Sequence, residues 1–465
     1  PRDTTSANDT LDLRINAVLD KPYDFYVEGN LVGKTNNRVG PGLVMGFTKR
    51  NAFRGGELLD INLKGSYEWQ TSQQGERSKS KFNSYEYGVD ASLMFPRMVI
   101  PFGDFFRDRL ARYYRRNRFY AVPTTTLKMS SDIISRANYF KRHIVSGEWT
   151  YSLQTSATSR HLFSPLVFSY EYMRSSTAAF DSVLQVNPYL YYTMQDQFVP
   201  KMQYTYTYTS PTNLLNPVRW QTTISEAGNL LSLGYMAAGK KWGDLGKEMF
   251  NNPYAQFVKV ETDLVKTWRL TEHSTLVGHA ALGAIWAYGN SSKAPYGEQF
   301  YVGGANSVRA FTVRSIGPGH YHNDASANIY YLDQTGDLMF QANLEYRPRL
   351  FGNLYGALFL DAGNVWVMHS DDRIGVKFEP KNPLRDMALG TGVGLRYDMD
   401  FLVIRPDSRV GPPVPYNTGL SPVDSFQPSQ SPPFALGYPY SKTTRSAAIV
   451  SHNELTPTTP TKTTT

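Results

Sequence analysis

Glu57-Leu-Leu-Asp-Ile-Asn-Leu-Lys-Gly-Ser-Tyr-Glu-Trp69 alternates residue by residue. Leu59, Ile61, Leu63, Gly65, Tyr67 and Trp69 fall on one face of an extended chain, and Asp60, Asn62, Lys64, Ser66 and Glu68 on the other. Successive side chains of a strand point to opposite faces, so one face here suits an apolar medium and the other water. The next segment repeats the pattern, with Tyr85, Tyr87, Val89, Ala91, Leu93 and Phe95 opposing Ser84, Glu86, Gly88, Asp90 and Ser92. It recurs over residues 143–155, 166–173, 202–209 and 276–289. About sixteen such segments follow one another, each near the roughly ten residues that a tilted strand needs to cross a bilayer. Helical periodicity is scarce.

A soluble sandwich alternates too, and two further features favour a transmembrane barrel. The polar face carries charges in strand after strand, as a wet lumen would, and aromatics such as Tyr67, Trp69, Tyr85 and Phe95 stand at segment ends like an interfacial girdle. No domain linker appears before residue 405. The connections agree. With strands numbered from Tyr23, the even-to-odd ones are mostly short (residues 51–57, 156–160, 211–217, 271–273, 348–353). The odd-to-even ones are mostly long (71–83, 174–198, 232–252, 290–336, 368–387). Outer-membrane barrels have short periplasmic turns and long external loops, which puts both termini on the periplasmic side. Residues 97–120 break the rule and hold Arg107, Arg109, Arg112, Arg115, Arg116 and Arg118, a solvated loop or a contact for anionic headgroups or an acidic partner.

Composition bounds the function. The 465 residues are 41% hydrophobic, with 32 Tyr, 25 Phe and 7 Trp, and contain no apolar run of about 18 residues that would make a spanning helix. The absence of Cys excludes a disulfide scaffold, a thiolate metal site and a cysteine nucleophile. A net charge of +8 without a basic block implies no nucleic-acid partner. Polar residues follow Pro1, so no signal peptide is expected in this stretch. Residues 11–19 alternate as well, and one strand cannot fold alone, so residues 1–21 are expected to be the end of a preceding domain and its linker.

Enzyme signatures are weak. Gly234-Tyr-Met-Ala-Ala-Gly239-Lys240-Lys241 nearly matches a phosphate-cradling loop but has Lys241 in place of the magnesium-binding hydroxyl. Gly390, Gly392 and Gly394 alternate within a strand rather than forming a dinucleotide fingerprint. His320 and His322 have no third ligand nearby, and no Gly-x-Ser-x-Gly elbow occurs. No catalytic centre, metal or cofactor is expected.

The informative loop is Gln299-Phe-Tyr-Val-Gly-Gly-Ala-Asn-Ser-Val-Arg-Ala-Phe-Thr-Val-Arg-Ser-Ile-Gly-Pro-Gly319. It lies in the longest external connection yet is glycine-rich, aromatic and apolar, so it should fold back into the lumen. A buried Arg309 then needs a carboxylate. Glu345, among odd positions 339–347, and Asp361, opposed by Leu358, Leu360 and Ala362, both point inward.

These residues carry a resemblance. Val308-Arg309-Ala310-Phe311, between Gly303-Gly304 and Gly317-Pro318-Gly319, resembles the inward-folded loop-six motif of the BamA/TamA-like outer-membrane assembly barrel superfamily, the bacterial surface antigen family. That superfamily also takes in the mitochondrial sorting and assembly barrel and two-partner secretion transporters. Phe359-Leu-Asp361-Ala-Gly363-Asn-Val-Trp366 looks like its conserved-strand motif, and Gly392-Val-Gly-Leu-Arg396-Tyr like the next strand's. The wording over residues 11–404 is most similar to the TamA-like branch of Bacteroidetes.

The resemblance implies an all-β, sixteen-stranded antiparallel barrel in the bacterial outer membrane, residues 22–440, preceded by periplasmic POTRA domains of which 1–21 is a remnant. It implies that Arg309 pairs with Glu345 and Asp361. It also implies a weak lateral seam between the first and last strands, here Phe25 and Val27 against Leu436, Tyr438 and Tyr440. The implied role is protein assembly or translocation, with lipids and client barrel or secreted proteins as partners, and periplasmic or inner-membrane partners through POTRA domains. A passive pore and a two-partner-secretion transporter are the alternatives.

Two departures stand out. Ala310 replaces the family's glycine; a left-handed backbone there would cost an alanine about 1 kcal/mol. Residues 406–433 hold eight prolines, so an irregular stretch is expected from Pro406 onward. Residues 441–465, with nine Thr, are expected to be a disordered tail.

Overall fold

The protein is described by a computed structural model over residues 21–34, 38–70, 84–100, 122–136, 139–186, 191, 194–211, 213–311, 313–321, 334–369, 371, 373–379, 386–399, 403–404 and 407–410. Alternation becomes one antiparallel sheet. Its strands are β1 (Tyr23–Lys34), β2 (Arg38–Arg50), β3 (Leu58–Gln70), β4 (Ser84–Phe95), β5 (Thr124–Arg136), β6 (Phe140–Gln154), β7 (Ser159–Ser176), β8 (Gln197–Thr209) and β9 (Val218–Ala227). After a small separate hairpin, β10 (Glu248–Met249) and β11 (Asn252–Pro253), the sheet continues with β12 (Phe257–Thr271), β13 (Ser274–Ala287), β14 (Leu338–Phe351), β15 (Leu354–Trp366) and β16 (Ala388–Asp398). Each strand pairs with the next in chain order, β9 pairing with β12.

The last position is shared by β17 (Val403–Ile404) and β18 (Asp407–Val410), which pair with β16 in one register, Ile404 opposite Tyr397 and Asp407 opposite Gly394. Of the stretch 406–433 expected to be irregular, only Asp407–Val410 is among the described residues, and it is paired, with Val410 opposite Thr391. Among the described residues this strand is the sheet's edge, where a missing N–H is tolerated. The sheet has fifteen strand positions and does not close among the described residues. The expected seam residues Leu436, Tyr438 and Tyr440, the preceding 1–20 and the tail 441–465 lie outside them. Phe25 and Val27 are on β1, exposed, paired on one side with Phe47 and Met45 of β2.

Two helices, Ala178–Val186 and Asn229–Ala237, occupy long connections, so the chain is nearly rather than wholly all-β. The second takes in Gly234–Ala237, the first half of the near phosphate-loop match, and the rest follows the helix end. No helix among the described residues is long and apolar enough to cross a membrane.

The two faces differ as the alternation requires. Leu344, Leu358, Leu360, Leu389 and Val393 are exposed, whereas Glu345, Asp361 and Arg396, of opposite parity, are buried. The apolar core is not between two sheets. Val302, Val308 and Ile316 of the long loop pack on Val199, Phe257, Ile285, Val365 and Ala388 of the inner wall, so the infolded loop supplies the partner that a barrel interior lacks.

Leu360→Arg, outward-facing at mid-strand, is expected to cost roughly 2–4 kcal/mol, the penalty of a cation at the bilayer midplane. Equilibrium urea unfolding from lipid vesicles measures it, and an unchanged midpoint would contradict the lipid-facing assignment.

Candidate functional site

The site is built where β14 and β15 run side by side beneath residues 299–319. Strand parity turns Gln341, Asn343 and Glu345 of β14 inward, with Ala357, Phe359, Asp361 and Gly363 of β15. The loop lays Arg309 across them. Its Nε donates to Asp361 Oδ2 at 2.8 Å and its Nη2 to Asp361 Oδ1 at 2.7 Å, a two-pronged fit of guanidinium to carboxylate. The Arg309 backbone N–H also donates to Asp361 Oδ2 at 3.0 Å, and Nη1 donates to Glu345. The guanidinium carbon lies 3.6 Å from the centre of the Phe359 ring, whose face adds a cation–π contact. Arg309, Glu345 and Asp361 are 4%, 5% and 0% exposed.

The structure brings these three residues together and adds partners not expected from the sequence. Asn343 Nδ2 donates to Asp361 Oδ1 at 2.8 Å and to the Ser307 carbonyl at 2.7 Å, tying strand to loop. Ser307 Oγ donates to Gln341 Oε1 at 2.7 Å. Glu345 also accepts from Arg347 Nε at 2.7 Å and from Arg396 Nη2 at 3.3 Å, and Arg396 pairs in turn with Asp407. Inward parity of Arg396 on β16 was the available signal; its pairing with a residue beyond Pro406 was not readable.

The remaining motif residues pack. Gly303 and Gly304 have φ of 108° and 99°, left-handed conformations that favour glycine, and Gly304 N–H donates to the Phe311 carbonyl at 2.9 Å, closing the turn that carries Arg309. The Gly317-Pro318 peptide bond is cis, and Gly319 N–H donates to the Val365 carbonyl at 2.7 Å, fastening the end of the segment to β15. Trp366 Nε1 donates to Asp386 at 3.2 Å, and Val308 is fully buried. Gly363 leaves room for the loop, since a Cβ there would lie 2.9 Å from Val302 and 3.1 Å from Val308.

Ala310 is not among the residues with positive φ, so the expected strain is absent. Its methyl instead faces Gly390 of β16, where an added Cβ would come within 2.9 Å. The space that a glycine at 310 would leave is supplied from the opposite wall. His320 Nδ1 lies 3.1 Å from Asp386, His322 lies outside the described residues, and no group of His, Asp and Glu among the described residues could hold a metal.

Residues 41–407 match the Omp85 superfamily domain. The chain belongs to the Omp85 superfamily. It is 26% identical over 176 residues to the sorting and assembly machinery component 50 homolog A of Xenopus laevis, an alignment covering 37% of this chain and 35% of that one. Its structure resembles that of BamA from Haemophilus ducreyi lacking POTRA domains 1–3, with a TM-score of 0.51 and 12% identity over 84% of this chain and 67% of that one. CdiB from Escherichia coli aligns with a TM-score of 0.45 and 12% identity, over 87% and 61% of the two chains. An Omp85 barrel is an antiparallel transmembrane sheet, and family and fold together point to the outer membrane.

The loop root of this Omp85 barrel is a second ionic joint. Glu298 accepts from Lys201 Nζ of β8 at 2.5 Å and from Lys259 Nζ of β12 at 3.5 Å. Burial pushes the Glu298 carboxyl up, but the two ammonium groups outweigh it and hold it below the usual carboxylate range. A folded-state pKa below the unfolded one gives stability that is complete above the unfolded value and is lost as pH falls through the folded one. Acidification is therefore expected to loosen the loop root, and Glu298→Gln to flatten that part of the acid limb, read from urea midpoints between neutral pH and the carboxylate range.

Arg309→Ala leaves buried Asp361 without its guanidinium and takes one of three arginines from Glu345, and is expected to destabilise the barrel by about 3–5 kcal/mol. Arg309→Lys, which cannot make the two-pronged contact, should recover little of it. Loss of heat-modifiable migration at lower temperature measures both. Gly390→Ala should destabilise by roughly 1–3 kcal/mol through overpacking, and Ala310→Gly in the same chain should restore part of it; additive effects of the two changes would sink the packing account.

Proposed function

We propose that this protein assembles or translocates other proteins at the outer membrane by lending a strand edge at a lateral seam. The observation that carries the reading is the loop that Arg309 pins to the inner wall in a chain of the Omp85 superfamily. Arg309 fixes residues 303–319 to β14 and β15, while β1 has a hydrogen-bonding partner on only one side among the described residues. An unpaired edge presents a row of N–H and C=O groups that an incoming strand can bond by β-augmentation. The rigid half of the barrel, β12 to β16 with its loop, then holds shape while β1 exchanges its partner.

Membership of the Omp85 superfamily supports the general role, and the names of the frog and Haemophilus relatives are consistent with it. The lumen partners of Arg309 and the seam residues Phe25, Val27, Leu436, Tyr438 and Tyr440 are assigned to this mechanism as part of the proposal, with both termini on the periplasmic side. Residues 1–21 are read as the end of a POTRA domain, through which periplasmic or inner-membrane partners would act. No chemistry on a substrate is assigned.

A second reading, a passive pore, draws on the wall between β7 and β12. There the lumen keeps a polar cavity of about 400 Å³ lined by Arg160, Gln203, Thr205, Thr207, Arg219 and Glu261.

One experiment separates the readings. The native chain has no Cys, so Val27→Cys with Tyr438→Cys can form only the cross-seam disulfide. The oxidised form is expected to lose client insertion into vesicles while keeping ion conductance, and reduction should restore insertion. Undiminished client insertion in the locked form would refute the seam mechanism and favour the pore.

A further inference from the structure

The excursion between β9 and β12 folds onto the outside of the sheet, and strand parity fixes the side. On β7, Glu171 pairs with Arg142 of the neighbouring β6 on the charged inner face, so Tyr170 and Tyr172 point outward. Phe198 lies directly opposite Tyr170 in the β7–β8 register and shares that outward side. Phe198 is nevertheless buried. Phe250, at the tip of the β10–β11 hairpin, stands edge-on to it at 5.5 Å and also meets the Tyr170 ring at 6.3 Å. Asn252 Nδ2 donates to the Tyr170 hydroxyl at 2.7 Å, and Tyr254 bridges to Phe198.

Tyr254 is in turn covered by the helix Asn229–Ala237. Its hydroxyl meets Ser232 Oγ at 2.7 Å and its ring stacks on Tyr235 at 6.1 Å. Helix and hairpin are thus draped on the outward wall at the long-loop end of the barrel.

What this module leaves uncovered is inverted for water. The helix face against the barrel is mixed, with Leu231 and Tyr235 half-buried and Ser232 buried, its Oγ also donating to Gln256 Oε1 at 2.8 Å. The free face carries Leu230, Leu233 and Met236 at i, i+3 and i+6, 64%, 53% and 46% exposed, and Phe250 is 64% exposed beside the outward tyrosines. Lys240 and Lys241 follow the helix, both exposed. The patch is continuous with the wall that faces lipid, and an apolar face backed by cations is the composition of an interfacial element.

We propose that the helix Asn229–Ala237 and the hairpin Glu248–Pro253 form a lipid-binding surface seated at the headgroup–acyl boundary of the leaflet at the long-loop end, with Lys240 and Lys241 turned to lipid phosphates. This rests on the barrel fold and its lipid-facing wall, not on the assembly activity. It assigns that region of the barrel wall a fixed depth in the bilayer.

Because the native chain lacks Cys, single labels are unique. Leu233→Cys and Phe250→Cys, each bearing an environment-sensitive fluorophore, are placed in the full chain folded into phosphatidylethanolamine–phosphatidylglycerol vesicles, with heat-modifiable migration reporting folding. Leu230→Cys replaces either variant that fails to fold, and Thr207→Cys, on the wall of the polar lumen cavity, is the aqueous reference. Nitroxide lipids labelled at the headgroup or upper chain are expected to quench positions 233 and 250 several-fold more than a water-soluble nickel chelate, with the reverse order at 207. Stronger quenching by the chelate at 233 and 250 would overturn the proposal. So would protection from both quenchers, as when a second copy or a protein partner covers the patch.

Discussion

A guanidinium taken out of water is tolerable only where every prong of its fork finds an acceptor, and the arrangement of this barrel follows from meeting that condition for Arg309. Asp361 takes two of its donors and the loop's own N–H, and Glu345 takes another. Glu345 is itself shared with Arg347 and Arg396, and Arg396 with Asp407. Three arginines and three carboxylates thus balance inside the wall. A buried ion pair of this kind is weak evidence for stability, since apolar residues of similar shape can do as well. Its value lies in geometry: a two-pronged contact admits one position of the loop.

That position decides the core. A transmembrane barrel turns its apolar residues outward to lipid, so its interior has no hydrophobic partner of its own. Here the loop brings one. Val302, Val308 and Ile316 make a local core against β8, β12, β13, β15 and β16, which is where the buried apolar residues gather. Strands β1 to β6 are not part of that core and are held by their ladders and by polar interior contacts such as Asn62 with Asp90.

The same economy of space appears at Ala310. A glycine at that motif position can be a matter of backbone freedom or of clearance, and the two have different remedies. Backbone strain could not have been relieved from elsewhere, whereas clearance can be, and Gly390 on the facing strand provides it. The substitution is a redistribution of one methyl group between loop and wall.

How much of this was legible in the sequence depends on the range of the forces involved. Alternation is local, so the strands, their inward and outward faces, and the inward aim of Glu345 and Asp361 could be read directly from residues such as Leu358, Leu360 and Asp361. The need of a buried Arg309 for carboxylates is equally general, so the pairing is an expectation of the sequence itself. The sequence did not disclose the helix Asn229–Ala237, because its nine residues carry apolar side chains both on the covered side (Leu231, Tyr235) and on the exposed one (Leu230, Leu233, Met236) and so show no ordinary amphipathic pattern. Nor did it disclose the pairing of Asp407 beyond Pro406, which rests on the register of β16, or the role of Gly390 opposite Ala310, eighty positions apart in the chain. Local alternation and charge determined which residues face inward. Which of them meet was decided only by the tertiary structure, because register and the path of a long loop are set by contacts between segments distant in sequence.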